Sequence, residues 1–210
     1  MADADRLYKK GLLFEYFTVG YNTLEAIASI VFGSIANSVA LIGFGLDSVV
    51  ESLSGLVLIW RLRLHGKIPV ETEEKIENNA RKLVAATFFI LGCYLLYESI
   101  EKLVAEEIPE PSLPGIIIAI LSIVIMPILT WQKYNIGKKI NSGALLADAK
   151  ENLACAFISV ALLIGLGANY LFGFWQADPI VALVIVVFLF CEGWEVWKES
   201  GVEEEGNGDV

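Results

Sequence analysis

Six apolar stretches, each about 20 residues long, occupy most of this chain. A transmembrane α-helix needs about 20 mostly apolar residues, because each residue advances it about 1.5 Å across roughly 30 Å of hydrocarbon. A soluble domain of 210 residues does not need a composition that is 56% hydrophobic. The sequence therefore predicts an all-α membrane protein, a bundle of six transmembrane helices. The predicted spans are approximately 11–33, 39–60, 82–104, 113–131, 143–167 and 178–197.

Polar and turn-forming residues separate the predicted spans. The segment 34–38 contains two serines and an asparagine, which predicts a tight connection between the first two spans. Pro109 follows the third span and cannot continue a helix. Polar loops are expected at 68–81 and 132–141, and Pro127 predicts a kink in the fourth span.

Basic residues fall almost entirely on one side of the predicted membrane. With both termini in the cytoplasm, the outer loops hold no basic residue. Only Lys102, at the outer end of the third span, and Lys150, in the fifth, do not face the cytoplasm. A competing assignment takes 26–46 as one uncharged span, but it would send the basic residues of 61–82 outside, against the positive-inside bias. We therefore expect six spans with both termini cytoplasmic. The basic residues expected inside are Arg6, Lys9, Lys10, Arg61, Arg63, Lys67, Lys75, Arg81, Lys82, Lys133, Lys138, Lys139 and Lys198.

Charge and cysteine content narrow the classes of function. The formal charge of −10 argues against a nucleic-acid partner. The acidic start lacks the pattern of a cleaved signal peptide, so the first span is expected to be retained. Cys93 and Cys191 are expected to be small buried residues rather than parts of a disulfide framework. We expect a transmembrane domain over 1–200 and a disordered acidic tail over 201–210.

Two carboxylates interrupt the second span, at Asp47 and Glu51. Residues four positions apart on a helix lie on the same face, one turn apart. Ionised carboxylates are costly in hydrocarbon, so such residues are expected to line a path or hold a cation. The fifth span repeats the spacing with Glu151 and Cys155, again inside a long apolar segment.

Glu25 in the first span extends this set to five metal-competent side chains. Counted along their helices, Glu25, Asp47, Glu51, Glu151 and Cys155 all lie near the middle of the membrane. Hydrocarbon forces such groups into the bundle interior, where they pair or bind a cation. Carboxylates with a thiolate suit a divalent ion, and the sulfur favours Zn²⁺, Cd²⁺ or another thiophilic metal over Mg²⁺ and Ca²⁺.

Each candidate ligand also has a purely structural interpretation. Asp47 and Glu51 could be protonated groups that only hydrogen-bond between helices. Glu151 could join a local ion network with Asp148 and Lys150, and Cys155 could be a buried free cysteine.

The remaining polar residues are placed by the same reasoning. Glu25 and Asn22 could be ligands, proton-path groups or partners that support the ligands. Glu15, near the inner edge, and Lys102, near the outer edge, are expected at the membrane interface. His65, the only histidine, is expected to be solvated in the basic inner loop.

Three motifs together resemble the transmembrane domain of the cation diffusion facilitator family of divalent-metal exporters. The resemblance covers nearly the whole six-span region. The motifs are Gly43-x-Gly45-x-Asp47-Ser48-x-x-Glu51 in span two, Ala147-Asp148 leading into span five, and Asp178-Pro179 opening span six.

The resemblance implies a ligand set. The family has an Asp-x-x-x-Asp pair in span two and a His-x-x-x-Asp pair in span five, which together form a tetrahedral metal site. Asp47 and Glu51 would supply the first pair here. Glu151 would stand where the family has histidine and Cys155 where it has aspartate, so the family's metal preference does not carry over. The family's cytoplasmic C-terminal domain is not expected after span six, so the implied homodimer would be held through the membrane part.

The sequence therefore predicts a secondary transporter that exports a divalent transition metal from the cytoplasm in exchange for protons. Zn²⁺ is the first expectation, with Cd²⁺ or another transition metal possible, and no catalytic cofactor is expected. Lipid, metal, protons and a second copy of the chain are the expected partners, in the inner membrane if the source is prokaryotic. A non-transporting metal-binding scaffold and a passive cation channel remain alternatives. An enzyme is disfavoured, because no nucleophile–base pair or cofactor motif is present.

Overall fold

The computed structural model describes residues 2–64, 70–140 and 142–205, and nearly all of them are helical. Each of its six helices contains a stretch long and apolar enough to cross a membrane, and the described residues contain no strand. The predicted all-α architecture of six spans is confirmed, and the chain is a multi-pass integral membrane protein. The helices are α1 (Ala2–Ala36), α2 (Val39–Leu64), α3 (Val70–Ala105), α4 (Leu113–Ile140), α5 (Gly143–Phe172) and α6 (Ala177–Glu205).

The helices extend beyond the apolar spans. The prediction of loops at 68–81 and 132–141 is wrong for most of these residues. They are helical, because α3 begins at Val70 and α4 ends at Ile140. Hydropathy shows where the hydrocarbon ends, whereas glutamate, lysine and glutamine readily continue a helix into water. The helix α4 also continues through Pro127.

Two expectations fall partly or wholly outside the described residues. The segment expected to be disordered, 201–210, begins inside α6, which continues to Glu205. Residues 206–210 are not described. His65 is also outside the described residues, so its solvated position stays a prediction.

The tight connection expected at 34–38 is present but shorter, since it comprises only residues 37–38. The helix α1 ends at Ala36, α2 begins at Val39, and Asn37 between them has a left-handed backbone with φ 52°. Asparagine tolerates this conformation better than most residues with a side chain. The break excludes a continuous helix over 26–46 and with it the competing span assignment.

Asp178 stabilises the start of α2 from the neighbouring helix α6. Its carboxylate accepts hydrogen bonds from the Val39 N–H (2.8 Å), the Ala40 N–H (3.4 Å) and the Ser38 hydroxyl. The first N–H groups of a helix have no partner within it, and negative charge is favourable there. The Asp-Pro motif that opens span six therefore ties α6 to the α1–α2 turn.

Lys102 is buried at this same end of the bundle, whereas the sequence placed it at the interface. It is only 5% exposed, and its Nζ donates to the Asn37 carbonyl (2.9 Å) and to the Asn37 side-chain oxygen. The left-handed turn presents both oxygens to the lysine. The turn between α1 and α2 thus supplies the acceptors that allow this charge to be buried. Residue spacing along the sequence does not predict how such a turn is oriented.

Glu15 and Lys133 are also buried, and the structure corrects their expected positions at the interface and in a loop. Both are 0% exposed. The Lys133 Nζ lies 3.0 Å from Glu15 Oε1 and bonds Asp148 Oδ2, which joins α1, α4 and α5. A buried charge is tolerated when opposite charges pair with it. Asp148 therefore pairs with Lys133 rather than with Lys150, which is exposed.

The helix α2 is the most buried of the six and contacts α1, α3, α5 and α6. The most extensive helix pairs are α1–α2, α4–α5 and α3–α6. Cys93 and Cys191 are exposed, so the expectation that they are buried is wrong. In a membrane bundle both the inner and the outer helix faces are apolar, so hydropathy does not tell them apart. The largest core side chains include Phe44, Phe88, Leu95, Met126, Leu162, Leu166, Ile185 and Leu189.

Candidate metal centre

Asp47 and Glu51 of α2 meet Cys155 of α5 in the bundle interior. One carboxylate oxygen of each acid and the Cys155 sulfur all lie within 4.8 Å of one another, and all three residues are buried. The spacing of four residues places the two carboxylates one turn apart on the same face of α2. The contact between α2 and α5 brings the thiol to this pair.

Asp47 has no protein partner for its charge in the described part of the chain. Both of its carboxylate oxygens are buried and accept no hydrogen bond. An unpaired buried carboxylate is costly, and most buried polar groups in proteins have at least one partner. A cation beside Asp47 would remove that cost.

Glu51 is held in position by α1. Its Oε2 accepts a hydrogen bond of 2.9 Å from the Asn22 side-chain amide. Asn22 is completely buried, and the interaction links residues 29 positions apart in the chain. Asn22 therefore acts as a positioning residue for Glu51, one of the roles that the sequence left open for it.

Glu25 lies beside this group but is not one of the three clustered ligands. Its Oε1 accepts a hydrogen bond from the Tyr21 hydroxyl (2.8 Å), and its Oε2 accepts one from the Ser48 hydroxyl (3.0 Å). Ser48 directly follows Asp47 on α2. Both Glu25 oxygens thus have donors, and the side chain adds negative charge next to the cluster.

Glycine allows α1 to approach α2 at this level. A Cβ added at Gly45 would lie 2.8 Å from Ile30 Cγ1 and 3.0 Å from the Ile30 backbone nitrogen. A larger residue would push the two helices apart, since backbone atoms cannot move as freely as a side-chain end. The close approach keeps Asn22 and Glu25 next to the α2 carboxylates.

Glu151 lies one turn from Cys155 along α5, outside the group of three. Its Oε2 accepts a hydrogen bond of 3.2 Å from the Ser54 hydroxyl of α2. Because the chain crosses the membrane six times, both termini lie on the same side, which we call the termini side. Glu151 is nearer to that side than Cys155, since α5 begins there.

Glu192 of α6 is an acidic residue near the centre that the sequence reasoning missed. Its Oε2 is buried without a hydrogen-bond partner among the described residues, and Asp47 and Glu151 both repel it electrostatically. The signal was present in the sequence, because Glu192 follows a long apolar run inside the sixth span. The rule that selected Asp47 and Glu51 applies equally to it.

This arrangement has the chemistry of a divalent-cation site. Two carboxylate oxygens and one sulfur are compatible with Zn²⁺ and similar metals, which are commonly bound by four ligands. Three protein ligands leave a further position for water or for another carboxylate. The thiolate selects against the hard cations Mg²⁺ and Ca²⁺.

Comparison with known proteins points to cation transport. A family model described as the cation efflux transmembrane domain matches residues 17–203. The manganese efflux system protein MneS of Bacillus subtilis is 27% identical over 184 residues, covering 86% of this chain and 63% of the relative. The cadmium, cobalt and zinc/H(+)-K(+) antiporter of the same species is 25% identical over 202 residues, covering 91% of this chain and 62% of the relative.

An archaeal relative aligns in the same way. An uncharacterized transporter of Methanocaldococcus jannaschii is 26% identical over 172 residues, covering 80% of this chain and 60% of the relative. The chain thus spans about three fifths of the length of these curated relatives. The family match includes Asp47, Glu51 and Cys155, so the clustered side chains lie within the matched domain.

Proposed function

Since the chain belongs to the cation diffusion facilitator family, we propose that it exports a divalent transition metal from the cytoplasm in exchange for protons. One observation carries the proposal: two carboxylates and a thiol cluster within 4.8 Å inside a membrane bundle. Zn²⁺ is the first candidate cargo and Cd²⁺ the second, because Cys155 supplies a soft ligand.

Asp47, Glu51 and Cys155 hold the ion, and Glu151 is the fourth ligand in this proposal. The unpartnered oxygens of Asp47 support its role as the central ligand. Glu151 shares the α2–α5 contact through Ser54 and lies one helical turn from Cys155 along α5, next to the group. Glu25 supports the centre through its charge; Tyr21 and Ser48 each donate to one of its oxygens, and each oxygen keeps a lone pair for a metal.

Competition between metal and protons couples the two fluxes. A metal binds deprotonated carboxylates and thiolate, so its arrival releases protons, and protons that return from the other side release the metal. Alternating access then exposes the centre to one side of the membrane at a time. The same membrane part would also hold the homodimer that we propose.

The relatives named above differ in the metals that their names give, so we infer the cargo of this chain from its own proposed ligands. The name of MneS refers to manganese, and the name of the antiporter refers to cadmium, cobalt and zinc. Mn²⁺ prefers carboxylate and carbonyl oxygens, whereas a thiolate favours Zn²⁺ and Cd²⁺. Cys155 is completely buried at the centre, which supports the thiophilic metals.

Flux measurements in proteoliposomes test this function. With the purified protein in sealed vesicles, a pH gradient should drive Zn²⁺ flux, and Zn²⁺ should in turn drive proton flux. The change Asp47→Ala should lower both by about 100-fold or more, since even loss of a supporting partner costs about 10–100-fold in metal affinity. Glu101→Ala is the control, because it removes an exposed carboxylate near the C-terminal end of α3. It should leave the Zn²⁺ flux and the proton flux unchanged.

The two alternative functions give different results. A metal-binding scaffold would keep its function in Asp47→Asn and Glu51→Gln, because amides still hydrogen-bond. A passive channel would conduct at the single-channel level, and its flux would not depend on the pH gradient. Either outcome would contradict the exchange mechanism.

A further inference from the structure

We propose that Glu192 and Glu151 form a second cation site, the loading site, in a cavity between α5 and α6. This inference rests on the proposed function, because it describes how the metal reaches the centre. The loading site would bind a hydrated divalent cation before the ion passes to Asp47, Glu51 and Cys155.

The cavity lies between the termini-side halves of α5 and α6. Its volume is about 240 Å³, and its charged lining residues are Lys150, Glu151, Glu192 and Glu195. A single water needs only about 10–15 Å³ of such space, so a cation with much of its hydration shell fits. Three carboxylates against one lysine give the cavity a negative balance.

Glu192 is the feature that points to a ligand. Although part of the residue is exposed, its Oε2 is buried and has no hydrogen-bond partner among the described residues. Lys150, in the same lining, forms no ion pair with Glu192 or with any other described residue. A buried, unpaired carboxylate oxygen beside a cavity with three carboxylates in its lining is suited to bind a cation.

The position of Glu151 connects the cavity with the centre. Glu151 lines the cavity and also accepts the Ser54 hydrogen bond from α2, the helix that carries Asp47 and Glu51. It lies one turn from Cys155 along α5. An ion held by Glu192 and Glu151 therefore has a shared ligand for its transfer to the centre.

The two sites differ in ligand chemistry. The loading site offers mainly carboxylate oxygens, which suit a cation that keeps part of its water, and the exposed Cys191 thiol also lines the cavity. The centre adds the Cys155 sulfur, which favours a dehydrated thiophilic ion. The proposed order is weak capture in the cavity, followed by loss of water and tighter binding at the thiol.

Cobalt titration separates the two sites, because a Co²⁺–thiolate bond has a charge-transfer absorption that carboxylates lack. The full chain is purified with Cys93→Ser and Cys191→Ser, so that any such band comes from Cys155; the second change removes the thiol from the cavity lining and leaves its three carboxylates in place. This protein should bind two Co²⁺ ions per chain, and only the tighter one should produce the band. In Glu192→Gln the weaker ion should be lost and the band retained, and the retained band also shows that the variant is folded. In transport, the half-saturating metal concentration of this variant should rise about tenfold.

Several results would overturn the loading site. The first is binding of only one Co²⁺ per chain before Glu192 is changed. The second is unchanged weak binding in Glu192→Gln. The third is loss of the thiolate band in that variant, which would place Glu192 at the centre. Asp47→Ala provides the separate check on the proposed function. It should abolish the band and keep the weaker ion, and a retained band would refute the centre while leaving the loading site in place.

Discussion

Asp47 is the residue that is hardest to account for without a cation. Glu25, Glu51 and Glu151 each accept a hydrogen bond from a neighbouring helix or turn, whereas Asp47 accepts none in the described part of the chain. The four-residue spacing was enough to predict that Asp47 and Glu51 share a face. The hydrogen bond from Asn22 could not be predicted, because it depends on the rotation of α1 about its own axis.

Asn22→Ala should weaken Zn²⁺ binding by about tenfold, since supporting partners of metal ligands typically contribute about 10–100-fold. The physical reason is that Glu51 Oε2 loses its donor and its fixed orientation. Isothermal titration of the purified protein measures the change. Ser29→Ala is the matched control, because Ser29 is also buried on α1 but its hydroxyl has no partner. Equal effects of the two changes would argue against a specific role for Asn22.

The helices are joined on the termini side by a buried set of three charges. Lys133 of α4 lies between Glu15 of α1 and Asp148 of α5. The sequence placed Lys133 in a solvated loop, because hydropathy falls at that point. The helix instead continues, and its rotation turns Lys133 inward to carboxylates from two other helices. Helix extent and rotation are properties of packing, and a charge count along the chain does not contain them.

Lys133→Met should destabilise the protein by about 3–5 kcal/mol, because it leaves two buried carboxylates without their cation. Thermal unfolding in detergent, followed by circular dichroism, measures the loss. The matched control is Lys139→Met, which removes an exposed lysine from the same helix. Adding Glu15→Gln and Asp148→Asn to Lys133→Met should restore much of the stability, because no unpaired charge then remains. A wild-type melting curve for Lys133→Met alone would show that the three charges do not stabilise the bundle.

The molecule as a whole is a bundle in which the central helix α2 carries Asp47 and Glu51, and three neighbouring helices add polar groups. Asn22 and Glu25 come from α1, Cys155 and Glu151 from α5, and Glu192 from α6. Polar groups in a membrane protein gather inside because lipid cannot hydrate them. The even number of spans places both termini on one side, and the basic residues predict that this side faces the cytoplasm.

Reporter fusions test this orientation. Green fluorescent protein, which does not become fluorescent after export through the bacterial secretion pathway, should fluoresce when fused to either end of the chain. Alkaline phosphatase, which is active only outside the cytoplasm, should be inactive at both ends. The reason is the concentration of lysine and arginine in the termini-side segments. Active phosphatase at either terminus would reverse the proposed direction of transport.

The sequence by itself determined the number and order of the helices and indicated two candidate pairs, Asp47 with Glu51 and Glu151 with Cys155. Hydropathy and four-residue spacing are local properties, so they can be read along one segment. Only the tertiary structure decided that Cys155 rather than Glu151 joins the α2 carboxylates, that Asn22 holds Glu51, and which side chains line the cavity at Glu192. These outcomes depend on how helices distant in sequence rotate and slide against one another, and packing in three dimensions sets that arrangement.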